Sequence, residues 1–252
     1  MFHPCLEETM TFKPNFKTLP KNQQLMWSHL SPAKDMGFCL YGGTALALRF
    51  GHRLSVDFDF FSSLPLDKVG LTEHFPMLKD SQVLQESPNS YIALTIPPAG
   101  TEPVKLSFFG NIGFGRVGTP ELSDDGVILV ASIRDLMATK LKALFDRVEL
   151  KDYLDIAEMI QASVSLTDGI CDARALFPTF NSIYCLKTLC YFDMDELKGL
   201  PGKQKKILEQ SVLAIPHEQE FRPTAIHSLS LILTPAELAK EMSRVQARIK
   251  SR

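Results

Sequence analysis

Two carboxylates one residue apart, Asp57 and Asp59, interrupt an otherwise apolar run, Val56-Asp57-Phe58-Asp59-Phe60-Phe61. The alternation predicts a strand with Val56, Phe58 and Phe60 on one face and both acids on the other. Two like charges side by side on a core strand are costly without a counter-charge. A divalent cation removes that cost. Mg²⁺ takes hard oxygen ligands and keeps coordination positions for phosphates. Just upstream stands Tyr41-Gly42-Gly43-Thr44, followed by Leu46, Leu48 and Phe50 at the spacing of a short apolar helix. Gly42 and Gly43 allow a tight turn with no side chain in the way. Backbone N–H groups at such a turn suit the same phosphates. Either half alone is a weak signal, but turn, helix and acidic strand in this order define a candidate phosphate and metal site.

Composition leaves room for that site and narrows its surroundings. The chain has 252 residues, of which 45% are apolar, enough for one large domain or two modest ones. The net charge of −2 gives no global basic field for nucleic acid, although a local patch remains open. The five cysteines, Cys5, Cys39, Cys171, Cys185 and Cys190, form no Cys-x-x-Cys pair and read as free thiols of a reducing compartment. The opening residues lack a basic-then-apolar leader, and no apolar run is long enough to span a bilayer. A cytoplasmic protein with no membrane partner is expected.

Taken in order, residues 1–20 read as an N-terminal arm, 21–130 as the core and 131–252 as a helical domain. A helix is predicted over 21–36, with Pro32 as a kink, and Trp27 is expected in the core. Phe38 to Tyr41 reads as a short buried strand that ends at the glycine turn. A helix over 66–78 and strands at 81–84, 91–96, 104–109 and 127–130 follow. Asp124 and Asp125 read as turn residues beside Gly126. Residues 132–160 read as a helix, with Ser132 as N-cap, Asp135 as its capping-box partner and a break near Val148 or Glu149. At 100° per residue, Lys140, Arg147, Lys151 and Asp155 share the apolar face of Leu136 and Leu144. Such charges either snorkel from the edge of the stripe or face phosphates and the acids of the strand. Lys151 and Asp155 are spaced to pair. His52 reads as a hydrogen-bonded residue rather than a base. Lys203, Lys205 and Lys206 form a basic stretch, and Thr234-Pro235 opens a terminal helix that ends in Arg244, Arg248, Lys250 and Arg252.

The string from Gly42 to Phe61 resembles the opening motif of the DNA polymerase beta-like nucleotidyltransferases, and most closely their AbiEii/AbiGii toxin branch. Arg53-Leu54-Ser55-Val56-Asp57-Phe58-Asp59 is similar to its Arg-x-Ser-x-Asp-x-Asp pattern, and Lys140, Arg147 and Lys151-Asp152-Tyr153-Leu154-Asp155 to its later signature. The resemblance implies an α+β nucleotidyltransferase core, a mixed sheet flanked by helices, followed by a helical region. It implies transfer of a nucleoside monophosphate from an NTP to a hydroxyl acceptor, tRNA or another RNA included, and for some members pairing with a protein antitoxin. On this basis Asp57 and Asp59 are expected to hold Mg²⁺ or Mn²⁺. Gly42, Gly43, Thr44, Arg53, Ser55, Lys105, Arg147 and Lys151 are expected to bind the nucleotide, and Lys140 to act beside the two acids in catalysis. The family takes a third carboxylate from a Lys-x-Asp or Lys-x-Glu strand. Here that tripeptide is Lys105-Leu106-Ser107, so a hydroxyl stands where the third acid belongs. A catalytically weakened homologue that binds a nucleotide or a protein is therefore the alternative. A third reading has the acidic strand and the basic helix face merely neutralising each other.

Overall fold

Two adjacent rows of apolar side chains hold the centre of the sheet together. Phe58, Leu106 and Ala93 face one another across three strands, and Leu40, Phe60, Phe108 and Tyr91 form the next row across four. All are buried. The computed structural model describes residues 11–216 and 218–231. Its strands are β1 (Thr11–Phe12), β2 (Cys39–Tyr41), β3 (Asp57–Phe61), β4 (Gln82–Ser87), β5 (Ser90–Thr95), β6 (Val104–Phe109), β7 (Glu121–Ser123) and β8 (Leu129–Val130). They form one mixed sheet in the order β1-β7-β8-β2-β3-β6-β5-β4. The β1–β7, β2–β8 and β3–β6 pairs are parallel, and the remaining pairs are antiparallel. Nine helices are described: α1 (Lys21–Trp27), α2 (Pro32–Asp35), α3 (Gly42–Phe50), α4 (Lys68–His74), α5 (Ile133–Asp146), α6 (Leu150–Gln161), α7 (Leu166–Leu176), α8 (Ser182–Leu189) and α9 (Gly202–Leu213). This is the α+β architecture expected. Among the described residues no helix is long and apolar enough to cross a membrane.

Local chemistry explains most element boundaries. The helix predicted over 21–36 is divided into α1, a 3₁₀ turn at Ser28–Leu30, and α2. Pro32 lacks an N–H and cannot continue the first helix, but it serves at the start of the second. Asp67 caps α4 by accepting from the Gly70 N–H, and Pro76 ends the segment in a 3₁₀ turn. Ser132 caps α5 through the Asp135 N–H. The predicted break in the long helix is real, and it spans residues 147–149, with extended backbone at Arg147 and Glu149. The strand foreseen at 81–84 runs on to Ser87 and returns as β5.

The N-terminal arm needs a correction. Thr11 and Phe12 pair with Leu122 and Ser123, and Leu19 is buried, so residues 11–20 belong to the core. Their apolar side chains complete one end of the sheet. The distal part of the chain also returns to it. Thr224 donates to Asp172 at 2.6 Å, and His227 exchanges backbone hydrogen bonds with Arg116. Ser230 donates to the Gly37 carbonyl and meets the Ser62 hydroxyl. Cys39, Cys171, Cys185 and Cys190 are free thiols, as read from the sequence. Cys5, and the stretch from Thr234 onwards where a terminal helix is expected, lie outside the described residues.

Phe108 stacks on Phe60 with ring centroids 5.3 Å apart and also meets Phe38 and Phe75. Truncation of such a fully enclosed ring leaves a cavity that its neighbours cannot fill. Phe108→Ala is expected to lower stability by about 3–5 kcal/mol. Urea unfolding followed by emission of the lone tryptophan, the buried Trp27, measures the loss.

Candidate active site

The glycine turn is the first turn of α3. Gly42 has φ +75°, a conformation that favours glycine, and a Cβ there would lie 3.1 Å from Asp59 Oδ2. A Cβ on Gly43 would run into Arg53 Nη2. The two glycines thus allow a carboxylate and a guanidinium to approach the helix start. Tyr41 supplies no side-chain cap, so the first N–H groups of α3 have no capping side-chain acceptor. Thr44 is buried, and its hydroxyl is taken by the Asp57 carbonyl and by Ser55 Oγ at 2.8 Å. Both residues, read from the sequence as nucleotide-binding, line the cavity with their hydroxyls engaged in this contact. Their hydroxyls fasten α3 to the entry of β3 because both sit where helix and strand touch.

On β3, Asp57 and Asp59 share a face, as the alternation requires. Register sets Asp57 opposite Lys105 and Asp59 opposite Ser107, the alignment read from Lys105-Leu106-Ser107. Lys105 Nζ is 3.7 Å from Asp57 Oδ2, and both side chains are about one-third exposed. Burial pushes the Asp59 pKa up and the Asp57 charge adds to this, against the nearby Ser107 hydroxyl, Lys105 and Lys151. The Ser107 Oγ is buried without a hydrogen-bond partner. Two carboxylates and an orphaned hydroxyl, all hard oxygens on one face, fit a single divalent cation that completes its shell with water or phosphate. Among the described residues no third acid joins them. Asp125 accepts from Trp27 Nε1 at 2.6 Å in the β7–β8 turn. Asp146 lines the same cavity, but it is exposed and bound by Lys142. Among the described residues no group of three or more His, Cys, Asp or Glu side chains is placed to hold a metal ion.

The basic residues meet different acids. Asp152 and Asp155 on α6 are fully buried. Lys140 Nζ lies 2.6 Å from Asp152 and 2.7 Å from Asp155. Arg53 grips Asp155 with two hydrogen bonds of 2.7 Å, and His52 Nε2 adds a third contact at 2.7 Å. Arg147 Nε reaches Asp152 at 3.0 Å. Lys140 and Arg53, read from the sequence as a catalytic and a nucleotide-binding residue, line the cavity and are held there by these two acids. The expected Lys151–Asp155 pair is not formed. Lys151 stands at the rim, bound to Glu149 at 2.9 Å, while Asp155 points into the protein. Three cations against two carboxylates leave one net positive charge beside the acidic strand. Against the third reading, the direct ion pairs of the basic helix face are with Glu149, Asp152 and Asp155, while Asp59 feels Lys151 and Arg147 only through their charge.

All eleven residues singled out from the sequence, from Gly42 to Lys151, line one cavity of about 590 Å³. This volume is in the range of small-molecule sites. Sequence reading missed Lys142 and the apolar part of the lining, which includes Phe61, Ile92, Phe109, Phe114 and Phe177. Phe61 and Phe109 were legible in principle, since each continues the alternation two residues beyond Asp59 or Ser107. Phe114 and Phe177 come from a loop and a helix end and carry no periodic signal.

The AbiEii family model, described as a nucleotidyl transferase toxin of type IV toxin–antitoxin systems, matches residues 26–249. An uncharacterized protein of Aquifex aeolicus (strain VF5) is 33% identical over 133 residues, which is 50% of this chain and 61% of that protein. The chain thus spans less than two thirds of this curated relative. A crystal structure of an H. pylori protein assigned as a nucleotidyltransferase matches with a TM-score of 0.50 at 18% identity, over 76% of this chain and 92% of that one. MenT4, a nucleotidyltransferase toxin of Mycobacterium tuberculosis H37Rv, matches with a TM-score of 0.45 at 19% identity, over 85% and 76%. The H. pylori likeness shows a shared fold.

Burial alone would raise the pKa of Asp155, but hydrogen bonds from His52 and Arg53 and the Lys140 charge hold it far below the usual carboxylate range. Asp152 is lowered in the same way by Lys140 and Arg147. A depressed folded-state pKa stabilises above the unfolded value of about 3.9 and stops doing so as pH falls through the folded value. Asp59 and Asp135, with raised values, act in the opposite sense. The change on mutation therefore isolates Asp155. Asp155→Asn is expected to cost about 3–5 kcal/mol at pH 7 and to flatten the loss of stability below about pH 4. Urea unfolding over a pH series measures both.

Proposed function

This chain belongs to the AbiEii family of nucleotidyltransferase toxins, and we propose that it moves a nucleoside monophosphate from an NTP to a hydroxyl acceptor. RNA, tRNA included, is the acceptor class, and a protein antitoxin the partner, that we carry over from the family. A cytoplasmic setting suits its free thiols. The observation that supports this reading is the convergence of a bare helix start, two adjacent acids and several cations on one cavity.

In this reading the first N–H groups of α3, at Gly42 and Gly43, receive the β- and γ-phosphates. Arg147, Lys151 and Lys105, all partly exposed, balance phosphate charge from the cavity wall. Lys140 and Arg53 hold Asp152 and Asp155, and so keep α5, α6 and the turn before β3 in place around the nucleotide. Asp57 and Asp59 would hold Mg²⁺ or Mn²⁺, which supplies positive charge to the reacting phosphoryl group. The acceptor oxygen attacks the α-phosphorus in line, its proton passes to solvent, and pyrophosphate leaves.

Incubation with each α-labelled NTP, Mn²⁺ and total RNA is expected to label an acceptor. Replacing both Asp57 and Asp59 by Asn is expected to abolish labelling without lowering the melting temperature, since the change removes a like-charge repulsion. Labelling that survives in the double variant overturns the metal role of these acids.

Ser107 favours a second reading, a weakened enzyme that binds nucleotide and turns it over slowly. A neutral hydroxyl opposite Asp59 leaves a second cation without its acid. Ser107→Asp adds a third carboxylate there. In EDTA the added repulsion is expected to lower the melting temperature. With millimolar Mn²⁺ the rise should exceed that of the parent by linkage. A gain in transfer then marks the parent as degenerate, and equal metal responses mean that a carboxylate at position 107 reaches no cation or that another acid already fills the place.

A further inference from the structure

The cavity has a second end that phosphate binding does not use. Register stacks three rows on its sheet face: Asp57 and Lys105, then Asp59, Ser107 and Ile92, then Phe61 and Phe109. Two residues along a strand cover roughly 6.6 Å. Over that distance the surface changes from carboxylates to aromatic rings. Phe114 and Phe177 close this end, with centroids 5.1 Å apart, and Phe114 lies 6.1 Å from Phe61. Phe61 meets Phe109 edge-on at 5.3 Å. The protein encloses Phe58, Phe60, Phe75 and Phe108 completely, yet leaves these four rings partly open to the cavity. A flat aromatic ligand gains both apolar contact and ring geometry there. Among the described residues the cavity lining contains no Asn, Gln, Glu or His. Asn and Gln read adenine by paired hydrogen bonds, Glu and Asp accept from cytosine, and Arg and Lys read guanine. Asp146 and Lys142 in the lining are paired with each other, and Lys140 with Asp152 and Asp155. Arg53, which could read guanine, is committed to Asp155.

We propose that this aromatic end holds the base of the nucleoside triphosphate by stacking, with little reading of its edge, so that all four bases are accepted. The proposal rests on the nucleotidyl-transfer reading, which places the triphosphate at the Gly42–Gly43 end. From there a ribose bridges the Asp59 row to the Phe61–Phe109 row. The rings then supply affinity without choice, because every base has a flat face.

Titration calorimetry of the full chain in Mg²⁺, with α,β-methylene analogues of ATP, GTP, CTP and UTP and with inorganic tripolyphosphate, tests this. Each nucleotide is expected to bind roughly 10- to 100-fold more tightly than tripolyphosphate, and the four to fall within about tenfold of one another. Phe114→Leu, on a loop, and Phe61→Leu are each expected to shrink the nucleotide-over-tripolyphosphate ratio several-fold. Thermal melts identify a variant that fails to fold, and the other then carries the test. Equal binding of nucleotides and tripolyphosphate overturns the base subsite and leaves the phosphate site standing. A preference above about 100-fold for one nucleotide overturns stacking without edge reading. An unchanged ratio in folded variants that lose RNA binding assigns the rings to the acceptor instead. Failure of tripolyphosphate and nucleotides alike removes the phosphate site itself, and the base subsite with it.

Discussion

Asp152 and Asp155 carry two charges with no access to water, and the protein must supply their counter-charge from within. Much of the site follows from how it does so. Lys140 reaches both acids from α5, Arg147 reaches Asp152 from the break between α5 and α6, and Arg53 comes from the turn before β3. Arg53 also lies against Gly43, so the same ion pairs set the start of α3. Loss of any one partner strands a charge in a dry interior, which is far more costly than loss of an exposed pair. The cluster keeps one positive charge in excess. Its strongest cations are thereby held still at the cavity wall, while Lys105, Arg147 and Lys151 retain some exposure.

What could be read from the sequence divides along the range of the interactions. The acidic strand and the glycine turn are local features. A period of two and two adjacent glycines state their geometry outright, and Asp57, Asp59, Gly42 and Gly43 lie where that reading put them. The Asp59–Ser107 row followed from the likeness of Lys105-Leu106-Ser107 to a known strand. Partner choice was less legible. Helical spacing correctly grouped Lys140 and Asp155 on an inward side, but it paired Asp155 with Lys151, four residues away. Asp155 instead takes His52 and Arg53, which are 103 and 102 residues away in sequence. A wheel diagram gives the face of a helix and says nothing about what packs on it. Thr44 shows the same limit, since only the folded chain brings its hydroxyl to Ser55 and the Asp57 carbonyl.

The sheet also separates two chemistries that alternate residue by residue along β3 and β6. One face carries Phe58, Phe60, Leu106 and Phe108, packed against Phe38 and Phe75 and fully enclosed. The other carries Asp57, Asp59, Lys105 and Ser107 and opens on the cavity. The parallel β3–β6 pairing brings together segments more than forty residues apart, and the β4–β5 hairpin that lies between them in sequence extends the sheet beyond β6. The segment at 218–231 returns to the sheet and ties α7 to the strands through Asp172, Arg116 and Ser62.

A side-chain period of two permits no half measures. Sliding β3 by one residue against β2 and β6 would turn Phe58 and Phe60 towards the cavity and drive both carboxylates into the packed face. Such a chain would lose its acids and its core in one step. Loss of the packed core would then accompany every such inactive pairing of this strand. A molecule that has folded stably has, by the same alignment, already been proofread for its chemistry.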